Sequence, residues 1–244
     1  MIKSLSIIFP LYNESKRLKY CFKNIDIFNS NSLIKNLEYI FVDDGSTDNS
    51  YDLIVDFIKK RRKKKKKIKF KIVKFKKNKG KGAALISGIK NASKDWLLTI
   101  DTDISVSLLE INNWIKYKYL KTNNKIYFGS RNLKNSIIKF EYHRKLIGFF
   151  LMLICKFFLN IKLYDTQCGF KLYKKNIRKK IFKKLNEKKF AHDIEIVILA
   201  EKKKIKIIEL PVKWKHKDGS KINLIKDSFS IFWSICKMKK KFNY

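Results

Sequence analysis

Proline is nearly absent from this chain, at two residues in 244, and histidine, cysteine and glycine are sparse at three, four and eight. With no Pro-rich linker and no internal repeat to divide it, the sequence predicts one sizeable domain, and 45% hydrophobic content is enough for a core. The cysteines, Cys21, Cys155, Cys168 and Cys236, are widely separated and show no metal-type pairing. They indicate neither a zinc site nor a disulfide framework, and they suit a reducing compartment. Acidic residues are outnumbered, 21 against 58 basic ones. The net charge of +37 favours contact with something anionic, whether nucleic acid, membrane lipid or a phosphorylated substrate, without choosing among them. The excess has a plainer alternative reading, since lysine is accompanied by many isoleucines and asparagines, the pattern expected of AT-rich codons. Long hydrophobic runs are missing too. The stretch from Leu146 to Cys155 holds ten uncharged, mainly apolar residues before Lys156 and Phe157–Leu159. That is short of the roughly 20 a bilayer-spanning helix needs. The sequence opens on a strand-like Leu5–Phe9 with no charged lead or cleavage site, so no secretory leader is expected.

What is present is a rhythm. Strand-like segments near residues 5–9, 37–42, 68–75, 96–101 and 125–129 alternate with helical stretches, which predicts βαβ units in a mostly parallel sheet. A basic run, Lys59 to Lys67, interrupts it and reads either as a solvated helix end or as a patch for anionic headgroups. The apolar stretch after Leu146, flanked by His143, Arg144, Lys145, Lys156 and Lys162, reads either as an interfacial helix or as a buried core helix. Near the C-terminus, Ile225, Phe229, Phe232 and Cys236 recur at helical spacing ahead of Lys237 and Lys239–Lys241. This predicts an amphipathic helix that docks on the core or on lipid.

The chemistry concentrates where strands end. Tyr39–Val42 runs straight into Asp43-Asp44-Gly45-Ser46-Thr47-Asp48, and Trp96–Ile100 into Asp101-Thr102-Asp103. Such strands deliver carboxylates to one sheet rim, a crowding of like charge that calls for a cation or a hydrogen-bonding ligand. Hard oxygen ligands there suit Mg²⁺ or Mn²⁺ shared with a diphosphate, with Asp101 and Asp103 as the metal candidates. The first strand ends in Pro10-Leu11-Tyr12-Asn13-Glu14. Tyr12 can stack on a planar ring, and Glu14 and Asp43 can accept hydrogen bonds from its NH groups, which suits a nucleobase. Asn78–Ala84 carries Gly80 and Gly82, which permit backbone NH groups to approach an anion, but it lacks the lysine and hydroxyl placement of a P-loop.

The ordered set of these motifs, with Gly129-Ser130-Arg131, Asp165–Lys171, Phe190–Glu195, Pro211–Trp214 and Gly219–Lys221, resembles the family 2 glycosyltransferases of GT-A fold. Within that family it resembles the dolichyl-phosphate (polyprenyl-phosphate) β-glucosyltransferase group. The resemblance implies an α/β, Rossmann-like sheet flanked by helices, with the catalytic domain over 1–221 and an amphipathic basic helix over 222–244. It implies that Pro10, Tyr12, Glu14 and Asp43 contact base and ribose, and that Asp101 and Asp103 hold the metal and diphosphate, with Arg131 on the diphosphate side. Asp165, Gln167 and Lys171 fall on the acceptor and sugar side, and Asp44, Gly80, Lys81, Thr102 and Lys221 are further substrate-binding candidates. Asp103, Arg131, Asp193 and Glu195 are the catalytic candidates. Asp193 and Glu195 fall where many relatives carry a base. A lipid phosphate is already ionised at neutral pH, however, so Asp193 is open to an orienting role instead.

The expected activity is an inverting transfer of glucose from UDP-glucose to a polyprenyl phosphate, with Mg²⁺ or Mn²⁺ as cofactor. The protein is expected to be cytoplasmic and peripheral on the cytoplasmic membrane face. The resemblance leads one to expect an amino-terminal membrane helix that this sequence lacks, so attachment would depend on amphipathic segments and on basic residues contributing about 1 kcal/mol each near anionic lipid. Alternatives are another nucleotide-hexose such as GDP-mannose, or a saccharide hydroxyl as acceptor. A basic nucleic-acid-binding module is the rival from another class, but no nucleic acid is expected as partner, because carboxylates at the strand ends would weaken phosphate binding.

Overall fold

A computed structural model describes residues 2–64, 68–121, 125–139, 152–217 and 224–243. In chain order it contains β1 (Ser4–Leu11), α1 (Leu18–Asn31), β2 (Asn36–Asp43), α2 (Ser50–Lys64), β3 (Lys69–Lys74), α3 (Lys81–Asn91), β4 (Trp96–Thr99), α4 (Glu110–Lys116), β5 (Ile126–Ser130) and β6 (Ile137–Lys139). A helix α5 over 152–159, β7 (Lys171–Lys174), a π-helical turn (Arg178–Phe182), α6 (His192–Lys202), β8 (Ile207–Pro211), β9 (Lys213–Lys215) and α7 (Leu224–Phe242) follow. Gly219–Lys221, His143–Lys145 and the last lysines of the basic run lie outside the described residues.

Seven strands form one sheet in the order β3-β2-β1-β4-β7-β5-β8, and β6 and β9 pair as a small second sheet. Every pairing in the large sheet is parallel except those of β7, which runs against both β4 and β5. The mostly parallel α/β sheet predicted from the strand rhythm is what forms. The central strands β1 and β2 are buried along almost their whole length because helices cover both faces, and the polar Ser6 and Glu38 within them bond to each other at 2.5 Å. Side chains alternate between two cores: Leu5, Ile7, Phe9, Tyr39 and Phe41 join α1, α2 and α4 on one face. Ile8, Ile40 and Val42 join α3, α6 and α7 on the other.

The basic run continues α2 at least to Lys64, a helix end that favours positive charge. Its arginines are engaged: Arg61 pairs with Asp26 of α1, and Arg62 donates to the Phe70 carbonyl at 2.9 Å. The C-terminal helix packs on the core, but not by the face its spacing suggested. Ile235 and Met238 go inward at 0% and 4% exposure, whereas Phe229 is 72% exposed. The helix is apolar on two sides, and only contacts with α5 and α6 select which one is buried.

The one reversed strand explains the layout of the rim. The parallel strands β1, β2 and β4 all end on one edge of the sheet. Because β7 is antiparallel, its beginning, not its end, arrives there, and Lys171 is registered against Thr99 of β4 and Phe128 of β5.

Candidate active site

Asp43 closes β2 opposite Leu11, and Asp101–Asp103 follow directly from β4. With β1 alone between those strands, the two acidic ends lie on the same rim, about 10 Å apart by strand spacing. Thr102 ties the ends together by donating through Oγ1 to the Pro10 carbonyl at 2.9 Å.

The loop after β1 is stitched to the loop after β2. Asn13, at φ 54°, accepts through Oδ1 from the Thr47 and Asp48 amides at 2.7 and 3.2 Å, and its own amide donates to Ser46 Oγ at 2.8 Å. Tyr12 stands 39% exposed beside this junction. Asp43 is fully buried; Oδ1 accepts from the Ser46 amide at 3.0 Å, while Oδ2 is buried with no hydrogen-bond partner among the described residues. Burying an acceptor without a partner is costly, so Oδ2 is suited to receive a ligand donor. Glu14 forms an ion pair with Arg17, whose other nitrogen lies 3.8 Å from Asp103 Oδ2.

Asp44 and Gly80, both expected to face substrate, meet each other. Asp44 accepts from the Lys79 and Gly80 amides at 2.7 and 2.8 Å and so fixes the 77–80 loop. Gly80 sits at φ 100°, where a side chain would collide with the Lys188 carbonyl at 2.4 Å. The glycines of this segment therefore admit a neighbouring backbone, and the Gly80 amide is used internally rather than presented to an anion.

Lys81, Asp101, Lys171 and Asp193 come together around a small cavity that Pro10 and His192 also line. Lys81 Nζ lies 2.6 Å from Asp101 Oδ1, and Lys171 Nζ lies 2.8 Å from Asp193 Oδ1. Lys171 is only 1% exposed, with its ammonium 4.8 Å over the Phe128 ring. His192 places Nε2 3.1 Å from Asp193 Oδ1 and Nδ1 2.7 Å from the Lys189 carbonyl. Burial works against the charge of Asp193, but His192 and Lys171 outweigh it and hold the carboxyl well below the usual carboxylate range. The two rim aspartates are pulled apart: desolvation opposes ionisation of both, Lys81 lowers Asp101, and the nearby charge of Asp101 raises Asp103. Gly169 is required here, because a Cβ would stand 2.3 Å from Asp101 Oδ2.

Arg131, beyond the end of β5, is gripped by Asp165. Its Nε and Nη2 donate to the two carboxylate oxygens at 2.7 and 2.9 Å, and its amide donates at 3.0 Å. Asp165 also accepts from the Gln167 and Cys168 amides at 3.0 and 3.1 Å, so it orients Arg131 and the 165–168 turn and has little capacity left for a ligand. Among the described residues the Gln167 side chain reaches only Thr166 Oγ1, at 3.4 Å. Burial disfavours an ionised Asp165, but Arg131 overcomes this and its pKa is lowered. A carboxyl lowered in the folded state stabilises fully above its unfolded pKa of about 4, and that stability is lost as pH falls through the folded value. Urea midpoints measured from about pH 6 down to pH 2 are therefore expected to fall less steeply in Asp165→Asn than in the parent, although the variant is less stable at neutral pH.

Glu195 does not join the cavity. It accepts from the Asn186 and Glu187 amides at 2.9 and 2.6 Å and pairs with Lys241 of α7 at 2.8 Å. It therefore latches three segments, and the role of catalytic candidate is left to its neighbour Asp193. Lys221 lies outside the described residues. Three residues that the sequence reading passed over take part: Arg17, three positions after Glu14; His192, immediately before Asp193; and Gly169, inside the Asp165–Lys171 motif.

The sequence model of Glycosyl transferase family 2 matches residues 6–182. The chain belongs to that family. This glycosyltransferase is 32% identical to the dolichyl-phosphate beta-glucosyltransferase of Saccharomyces cerevisiae, over 93% of its own length and 71% of the relative's. It is 31% identical to the Dictyostelium discoideum protein of the same name, over 98% and 74%, and 28% identical to the human one, over 98% and 73%. Among solved structures it superposes on glucosyl-3-phosphoglycerate synthase of Mycobacterium tuberculosis, crystallised with Mn²⁺, UDP and glucosyl-3-phosphoglycerate. The TM-score is 0.68 at 14% identity, covering 98% of this chain and 80% of that one, a likeness of GT-A fold. Among the described residues no helix is long and apolar enough to cross a membrane.

Proposed function

We propose that this glycosyltransferase moves glucose from UDP-glucose to a polyprenyl phosphate of the dolichyl type, with inversion at the anomeric carbon. In this reading residues 1–221 form the catalytic domain and 222–244 a C-terminal helix. The protein works peripherally at the cytoplasmic face of a membrane, consistent with cysteines that are free among the described residues. The names of the relatives support the reaction. The observation that carries the acceptor choice is Asp193, held ionised between Lys171 and His192. A carboxylate with so low a proton affinity is a poor base for a sugar hydroxyl, but a lipid phosphate needs no base.

The uridine ring fits against Tyr12, with the unpartnered Asp43 Oδ2 accepting from its ring NH. Arg131, fixed by Asp165, faces the diphosphate. Asp101 and Asp103 suit a Mg²⁺ or Mn²⁺ ion that also takes diphosphate oxygens. Among the described residues there is no cluster of three or more His, Cys, Asp or Glu side chains that could cage a metal alone, which is the usual situation where phosphates complete the shell. Such an ion would stabilise the charge of the departing UDP. The chain's own contribution is to hold Lys81 beside Asp101 and to position the acceptor oxygen in line with the bond that breaks.

Purified protein incubated with Mg²⁺ or Mn²⁺, a panel of UDP- and GDP-sugars and a short polyprenyl phosphate tests this. Transfer from UDP-glucose to the lipid phosphate is expected. Asp193→Asn should keep turnover within about tenfold, well short of the 10²–10⁴-fold that loss of a general base costs. Collapse of Asp193→Asn together with transfer to saccharide hydroxyls would favour the other acceptor class, and exclusive use of GDP-mannose would overturn the donor.

A further inference from the structure

We propose that the outer faces of α5 and α7 together form a docking surface for an anionic phospholipid bilayer. The surface is read from exposure and charge, and it deepens the membrane side of the proposed function, on which its biological sense rests. The inner faces of both helices are occupied: Cys155 and Leu159 of α5 and Ile235 and Met238 of α7 lie in one core cluster. The helices also hold each other, with the Phe158 and Phe232 rings 5.9 Å apart and Lys239 Nζ 5.1 Å over Phe158. Neither helix is therefore a loose tail whose apolar residues await a place in the core.

Their outer faces are nevertheless apolar. Phe157 is 83% exposed and Leu153, four residues before it, 41%; Phe229 is 72% exposed and Trp233, four residues after it, 59%. On each helix the pair lies one turn apart on one side. Scattered exposed hydrophobes need no explanation, but Phe157 and Trp233 each adjoin in sequence one ring of the Phe158–Phe232 contact, so the two exposed pairs flank one helix junction, and apolar surface gathered in this way marks an interaction site. Along α7 the exposed positions continue from Phe229 and Trp233 to Lys237 and Lys240, so the stripe passes from aromatic to cationic.

Charge selects the occupant. The α7 segment carries five lysines and one aspartate, and the chain as a whole carries +37. A second copy would bring the same lysines to the same place and be repelled. A bilayer with anionic headgroups accepts both halves of the stripe, the aromatics at the acyl boundary and the lysines at the phosphates. The rigid mounting adds a functional consequence. Lys241 pairs with Glu195 at 2.8 Å, and Lys202 donates to the Phe242 carbonyl at 2.9 Å. The helix seated on lipid is thus fastened to α6, the helix that carries Asp193 into the cavity.

The full chain should be sedimented with vesicles of phosphatidylcholine, with and without phosphatidylserine, while tryptophan emission is recorded. Binding to the anionic vesicles with a blue shift is expected. Phe229→Ser combined with Trp233→Ser should weaken that binding about tenfold or more and remove much of the shift. Lys237→Gln with Lys240→Gln should leave the shift in place and lower the preference for anionic over neutral vesicles about tenfold. All four side chains are exposed, and far-UV circular dichroism checks that each variant is folded. Unchanged vesicle binding in the aromatic variant overturns the proposal. So does a self-associating parent that ignores vesicles and becomes monomeric in that variant, which would assign the face to a second copy. The aromatic variant should still act on a short, water-soluble acceptor. A parent that binds vesicles yet transfers no sugar to any acceptor keeps the surface and removes the proposed reaction.

Discussion

Asp103→Asn is expected to lower kcat/KM for sugar transfer about 10³-fold, some 4 kcal/mol of transition-state stabilisation, while leaving the protein at least as stable as its parent. Asp103 shares the rim with Asp101, and desolvation together with that neighbour's charge pushes its carboxyl up from the ordinary value. A group that resists ionisation in the folded state is held there at a cost to folding, so neutralising it relieves repulsion. Its amide isostere can still accept from the Ser105 amide, now 2.9 Å from Oδ1. What is lost is the negative charge proposed to share a divalent ion with the diphosphate. Steady-state kinetics over a Mn²⁺ titration, beside urea unfolding curves, separate the two effects. Full activity in Asp103→Asn would remove the metal role assigned to it. A large loss of stability would show instead that the residue is structural.

Lys171→Met is expected to have the opposite profile, a loss of about 3–5 kcal/mol in stability, because it leaves the buried Asp193 carboxylate without its ammonium partner. Asp193 is 4% exposed and Lys171 1%, so water cannot replace the missing charge. His192, 3.1 Å from the same carboxylate oxygen, softens the loss. Adding Asp193→Leu to Lys171→Met should recover most of the stability, since replacing a whole buried pair by apolar groups is far less costly than breaking it. Urea midpoints of the parent, both single variants and the double variant complete the cycle. Additive effects would mean that the 2.8 Å contact carries no coupling.

Much of this arrangement is legible in the sequence because its signals are local. A run such as Tyr39–Val42 is buried on both sides wherever it goes, and a carboxylate immediately after it must lie at a strand end. Asp43 and Asp101–Asp103 share one rim for this local reason, whatever packs between their strands. A role that depends on a partner far along the chain leaves no such local signal. Asp44 and Gly80 each looked like a ligand contact, yet they meet each other across 36 positions. Glu195 stands beside Asp193 where relatives carry a base, yet it is tied to Lys241, 46 residues on. The C-terminal helix has apolar residues on two sides, and spacing alone cannot say which one a core will claim.

By itself, the sequence determined the alternation of strands and helices, the acidic strand ends and the membership of a family whose motifs occur in fixed order, because each of these is written in neighbouring residues. Tertiary structure alone decided that β7 runs backwards and brings Lys171 beside Thr99, that Asp193 is held between Lys171 and His192, and that Phe229 and Trp233 face outward. These are properties of contacts between distant segments. In a chain so rich in lysine and isoleucine, many pairings satisfy the local pattern, and only close packing selects one of them.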